Sequence, residues 1–183
     1  MELATRTSEW QEYRFHQHLR YLDQLARWAP WPAEKSEDDR MALGRRVEVL
    51  AAELLADRGY PVGLTPHKRG WDIQAGGARV EVKAARWYPH RRGGRYQAAM
   101  HNGQADLVLF ACVGEGCRVW AWFVIPGEAI GGRRNVSIWS MDPYAYAGQW
   151  AGYLERWDLA DEVIGRAGPY PAQLAMPLEV AVC

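Results

Sequence analysis

Apolar and polar positions follow three rhythms along this chain. Between Asp38 and Arg58, Leu43, Val47, Leu50 and Leu54 recur at threes and fours, which predicts an amphipathic helix closed by Gly59 just past its C-terminus. Trp10, Tyr13, Leu19, Leu22 and Leu25 predict an earlier helix over Thr7–Trp28, stopped by Pro30 and Pro32. From Trp71 to Ala84 the period drops to two, and two such runs flank Gly76-Gly77. DLVLFACV (106–113) and RVWAWFVI (118–125) are almost continuously apolar, as expected of central strands buried on both faces. Tyr60–Thr65 and Val136–Ser140 predict a first and a last strand. Pro143–Ile164 predicts an aromatic-rich helical region, bent near Gly148 or Gly152, and the proline-containing tail after it is expected to be extended.

The Gly-Gly pair fixes a register. Glycine takes positive φ at no steric cost, so Gly76-Gly77 predicts a two-residue hairpin loop that pairs Ala75 with Ala78, Gln74 with Arg79, Ile73 with Val80 and Asp72 with Glu81. Two carboxylates would then stand opposite each other with Cβ atoms about 5 Å apart, a destabilising arrangement unless something holds it. A divalent cation would, because Mg²⁺ takes one or two carboxylates and keeps positions open for water and phosphate oxygens. Strand alternation adds Lys83 to the face of Glu81 and turns Val80 and Val82 to the other. Asp, Glu and Lys converge.

The spacing Asp72, eight residues, Glu81-Val82-Lys83 resembles the D…(D/E)xK signature of the PD-(D/E)xK nuclease superfamily, with Trp71 where the family's usual proline stands. The resemblance covers residues 40–140. It implies a restriction-endonuclease-like α/β fold: a central mixed β-sheet flanked by helices, with extra N-terminal and C-terminal helices. The corresponding division is an N-terminal helical appendage over 1–35, the nuclease core over 36–142 and a C-terminal helical region and tail over 143–183, all in one compact domain. The resemblance also implies a metal-dependent DNA endonuclease. Asp72, Glu81 and the Val82 carbonyl would hold Mg²⁺, or Mn²⁺ in its place, and Lys83 would act on the attacking water. In this superfamily a glutamate of the first core helix often joins the metal site, and Glu48, four residues after Gly44, matches that pattern; Glu53 is its competitor.

Composition modifies this picture in one respect. The net charge is zero, so the whole molecule does not advertise nucleic-acid binding, but its charges are segregated. Lys83, Arg86, Arg91, Arg92 and Arg95 follow one another with no acid between Val82 and Ala105, whereas six acids face two arginines from Met141 onward. Pro89 and Gly93-Gly94 predict a flexible basic loop over His90–Arg95, then a short helix from Tyr96 to Asn102. Arg86, Arg91, Arg92 and Arg95, together with Lys68 and Arg69 before the hairpin and Arg133 and Arg134 after the last long strand, are the candidate phosphate contacts.

Three cysteines without zinc spacing, no signal-peptide layout in MELATRTSEW and no apolar run of about 18 residues predict a soluble cytoplasmic protein that spans no membrane. At 183 residues there is no room for a separate target-recognition domain, so a homodimer or higher homo-oligomer is expected on DNA. Two alternatives share the fold: a DNA-binding module without catalysis, and an assembly subunit, for which the aromatic-rich ends are the hint. Solvated charges on an exposed hairpin face are the plain alternative to a metal site.

Overall fold

A computed structural model describes residues 37–65, 70–90, 93–100, 104–114 and 117–169. The helix expected at Thr7–Trp28 and the tail from residue 170 lie outside them, as do Lys68, Arg69, Arg91 and Arg92. The described elements are α1 (Glu37–Asp57), β1 (Val62–Leu64), β2 (Ile73–Ala75), β3 (Ala78–His90), β4 (Gly93–Ala99), β5 (Leu107–Val113), β6 (Val119–Pro126), α2 (Gly127–Ile130), β7 (Asn135–Ile138), 3₁₀ turns at Pro143–Ala145 and Ala151–Tyr153, and α3 (Trp157–Ala167). Helices flank a seven-stranded mixed sheet, so the α/β expectation holds.

The long strand β3 is the axis. Its first half pairs antiparallel with β2, which pairs antiparallel with β1, and on its other edge parallel with β5, from Val80 opposite Leu107 to Arg86 opposite Val113. Its last four residues pair antiparallel with β4, and β4 pairs with β7. One strand thus belongs to two sub-sheets, and its pleat sorts two cores. Ala85, Val108, Phe110, Cys112, Phe123 and Ile125 pack with Tyr96, Val136, Ile138 and Trp150. Ile73, Val80, Val82, Leu107 and Leu109 alternate with them and face the side on which α1 packs through Leu43, Val47, Leu50 and Leu55. Gly59, with φ +90°, ends α1 where the apolar stripe stops. Asp161 of α3 accepts hydrogen bonds from Arg58 Nε (3.0 Å) and the Tyr60 hydroxyl (2.7 Å), tying the end of α1 to α3.

Three expectations are corrected. Residues 96–99 form strand β4 rather than a helix, and the ends of the basic loop expected over His90–Arg95 are strand, because β3 runs to His90 and β4 starts at Gly93. Tyr96 decides this: its ring is 1% exposed, meets Trp87 edge-on at 5.2 Å, and its hydroxyl donates to Met141 O (3.1 Å), a set of partners only a strand delivers. Pro89 is tolerated because it stands at the exposed hairpin end of β3. β6 is buried but not central. It pairs only with β5, and its other edge is covered by the segment around Leu154, where Glu155 N donates to Trp122 O (2.8 Å) and the Glu155 carboxylate accepts from Trp122 N (2.8 Å). The aromatic C-terminal region is helical in full only from Trp157, after two single 3₁₀ turns.

Candidate functional site

The hairpin forms in the expected register, Ala75 opposite Ala78, Gln74 opposite Arg79 and Ile73 opposite Val80. The two glycines serve different ends. Gly76 takes φ +52°, whereas a Cβ on Gly77 would lie 2.1 Å from Ala167 O, at the end of α3, whose neighbour Gly168 accepts the Gly77 N–H at 2.9 Å. The buried Gln74 amide donates to Gly76 O (3.1 Å) and Ala78 O (3.0 Å) and holds the turn from inside.

Past Ile73 the ladder stops. Asp72 N donates to Val80 O (3.0 Å) instead of continuing the register to Glu81, and Asp72 Oδ2 accepts the Val82 N–H at 2.7 Å. A side-chain oxygen has replaced a backbone carbonyl at the point where the β2 edge of β3 loses its partner strand. Paired residues exchange N–H and C=O along one edge of a strand, so the Val82 carbonyl opens to the same edge as its N–H, beside Asp72. On the adjacent face, Lys83 Nζ lies 2.6 Å from Glu81 Oε1. This pair is deep: the side chains are 20% and 7% exposed. Glu81 and Gln74 are the two buried polar side chains among the described residues, and both lie on the hairpin.

A second ion pair flanks the first. Arg79 grips Asp106 with Nε and Nη2 (3.1 and 2.9 Å), and its backbone N–H adds a bond of 2.8 Å. These bonds hold the Asp106 carboxyl below the usual range, against the opposing effect of burial. The Arg79 guanidinium also lies over Trp71, 5.7 Å from the ring centre. Asp106, just before β5, thus braces the strand that bears Glu81.

The remaining described candidates are Glu48, Glu53, Arg86, Arg95, Arg133 and Arg134. Glu48 is half-buried on α1, which packs on the Val80–Val82 side. Among the described residues no three His, Cys, Asp or Glu side chains gather as a metal-holding group, so Glu48 is not drawn into a cluster with Asp72 and Glu81. Glu53 is exposed. Arg86 Nη2 reaches Cys117 Sγ (3.2 Å), Arg133 lies over Trp150 and donates to Ile130 O (3.3 Å), and Arg134 is exposed. Arg95 lies 4.6 Å from the centre of the half-exposed Trp139 ring. Trp139 was not singled out by its sequence context; reading 93–99 with period two would have placed Arg95 on an open face.

Asp72, Glu81 and the Val82 carbonyl offer donors of the type a hard cation takes. Two carboxylates and a main-chain carbonyl are all oxygen, and each carboxylate engages one oxygen in the bonds above and has a second. Lys83 gives the Glu81 carboxylate, 7% exposed, an opposite charge at 2.6 Å.

No protein-family model and no curated protein matches the chain. A solved structure does. The bacterial homing endonuclease I-Ssp6803I superposes with a TM-score of 0.51 at 16% identity, covering 65% of this chain and 90% of that one. At that identity the likeness shows the fold alone, a nuclease-like α/β fold. No helix among the described residues is long and apolar enough to cross a membrane.

Proposed function

We propose that this chain is a metal-dependent DNA endonuclease of the PD-(D/E)xK type. The observation that supports it most is the ending of the β2–β3 ladder at Asp72, whose carboxylate takes the Val82 N–H beside the buried Glu81–Lys83 pair. The fold likeness to I-Ssp6803I, a homing endonuclease by name, agrees with this reading.

Asp72, Glu81 and the Val82 carbonyl would hold Mg²⁺ or Mn²⁺, with Glu48 acting through bound water. When bound, the cation polarises the phosphoryl oxygen and acidifies its water. Lys83 then has two tasks: with its ammonium placed at Glu81, it orients the attacking water and offsets negative charge growing on phosphorus. Arg86, Arg95 and Arg134, with Lys68, Arg69, Arg91, Arg92 and Arg133, would contact the DNA backbone. A homodimer in the cytoplasm would address both strands with two sites.

Cleavage of supercoiled plasmid and of branched DNA, in Mg²⁺ or Mn²⁺ against EDTA, tests this with Asp72→Asn alongside. Cutting that requires the metal and vanishes in the variant is the expected result. A second reading, DNA binding without catalysis, is favoured by the lack of a third acid in the cluster among the described residues. Under that reading neither DNA is cut, and calorimetric titration with Mn²⁺ gives no heat that Asp72→Asn removes.

A further inference from the structure

We propose that the outer face of the β3–β4–β7 sub-sheet is a stacking platform for unpaired nucleic-acid bases, so that the substrate contains single-stranded or branched DNA. The inference rests on the reading that this chain acts on DNA, and it concerns a surface away from Asp72. Tyr88 stands opposite Arg95 across β3 and β4. The β4–β7 register puts Tyr96 opposite Ile138, so the next position outward sets Arg95 against Trp139, and the guanidinium lies over that ring at 4.6 Å. Tyr88, Arg95 and Trp139 therefore form a row across three positions, spaced by about 4.8 Å per strand.

The inner face of the same strands is closed. Trp87, Tyr96, Val136 and Ile138 pack into the core, and alternation sends their neighbours outward. Tyr88 is 64% exposed and Trp139 51%, a cost in apolar exposure that packing among the described residues does not offset. The Arg95 guanidinium covers one face of the Trp139 ring, a cation–π contact that restrains the ring and leaves its other face for a base.

Charge selects the occupant. In a chain of net charge zero, residues 86–100 and 130–141 contain six arginines and no acid. Aromatic rings beside Arg95, on strands whose own residues carry no acid, match a polyanion whose monomers carry π-faces. A duplex offers its edges and phosphates while its π-faces are stacked on one another, so rings of this kind gain most from unpaired bases. Tyr88 lies about 17 Å along β3 from Lys83 and, by alternation, on the opposite face, so a strand joining the two would pass round the edge of the sheet.

Fluorescence anisotropy of the full chain in EDTA tests the platform, with labelled dT₁₂, the corresponding 12-bp duplex, and the variants Tyr88→Ala, Trp139→Ala and Trp139→Phe. Stacking at one ring corresponds to roughly a tenfold or greater change in affinity. The expected result is tighter binding of dT₁₂ than of duplex, at least about tenfold weakening of dT₁₂ by each alanine, and substantial recovery in Trp139→Phe. Equal or tighter duplex binding with no effect of the alanines overturns the proposal. So does a dimer, seen by light scattering, that Trp139→Ala dissolves while dT₁₂ binding persists, because the occupant is then a second copy. Since no catalysis is read, failure of plasmid cutting together with ring-dependent dT₁₂ binding would reject the nuclease and leave the platform standing.

Discussion

Replacing Lys83 by methionine removes the charge partner of a carboxylate that is 7% exposed, while keeping most of the aliphatic stem. Breaking one side of a buried pair typically costs about 3–5 kcal/mol, because the remaining charge has lost its water and its counter-ion together. Lys83 is itself 20% exposed, so the low end applies, about 3 kcal/mol. In a protein of this size about 1 kcal/mol moves Tm by roughly 2–4 °C, so the variant should melt about 6–12 °C lower in EDTA. Removing both charges in Glu81→Gln/Lys83→Met should recover most of that loss, since no uncompensated charge remains. Calorimetry or circular dichroism of the wild type, both single variants and the double variant closes the cycle. Saturating Mg²⁺ should then raise Tm in Lys83→Met but not in the double variant, because a cation can replace the ammonium only where Glu81 is charged. A Lys83→Met protein within about 0.5 kcal/mol of wild type in EDTA would refute the reasoning, since Glu81 would then be solvated despite its position.

Gly77→Ala should cost about 2 kcal/mol or more by denaturant unfolding, because its Cβ would meet the backbone carbonyl of Ala167 at 2.1 Å and push α3 off the hairpin; an unchanged midpoint would mean that α3 does not dock there. Asp106→Asn should cost about 1 kcal/mol at pH 7, a value discounted for a pair whose side chains are 41% and 34% exposed. Because folding lowers the Asp106 pKa from 3.8, the wild-type advantage is complete well above that pH and fades as pH falls through the lower folded value; a gap that stays constant down to pH 2 would show that charge is not its source. Asp72→Asn keeps an oxygen for the Val82 N–H, so it should abolish cleavage with stability within about 0.5 kcal/mol of wild type, whereas Asp72→Ala should lose about 1–3 kcal/mol as well by leaving that donor unpaired. Equal unfolding midpoints for the two variants would mean that the bond contributes nothing to the fold.

The hairpin was legible because its information is local. Gly76-Gly77 between alternating runs set turn and register together, and the stripe from Leu43 with Gly59 behind it set α1. β4 was not legible, because Gln97, Ala98, Ala99 and Met100 favour a helix when read alone. Their strand is imposed from a distance, by pairing with Asn135–Ile138 and by the Trp87 ring against Tyr96. β6 was misplaced to the centre for a related reason. Its burial comes on one edge from β5 and on the other from the Leu154–Glu155 segment, and burial alone does not say which covering is a strand. At the candidate site, alternation foretold the meeting of Glu81 and Lys83, but periodicity could not foretell that Asp72 would leave the ladder and bind Val82 N–H.

That departure bears on how a chain of zero net charge could act on a polyanion. A continued ladder would set Asp72 directly against Glu81, with two like charges at about 5 Å and one lysine between them. By turning to the Val82 N–H, Asp72 gains a hydrogen bond to its charged form and needs less of Lys83, which is free to sit at Glu81. The two carboxylates are thus stabilised by separate donors, and the lysine remains beside the edge that the Val82 carbonyl shares with Asp72. Further along the same strand the acids cease, and from Arg86 onward β3 carries only basic, aromatic or neutral side chains. Negative charge is concentrated where a cation would be needed and excluded where a phosphate chain would lie. A single strand that changes partners at Trp87 separates the two environments, and net charge, which sums over both, hides the difference.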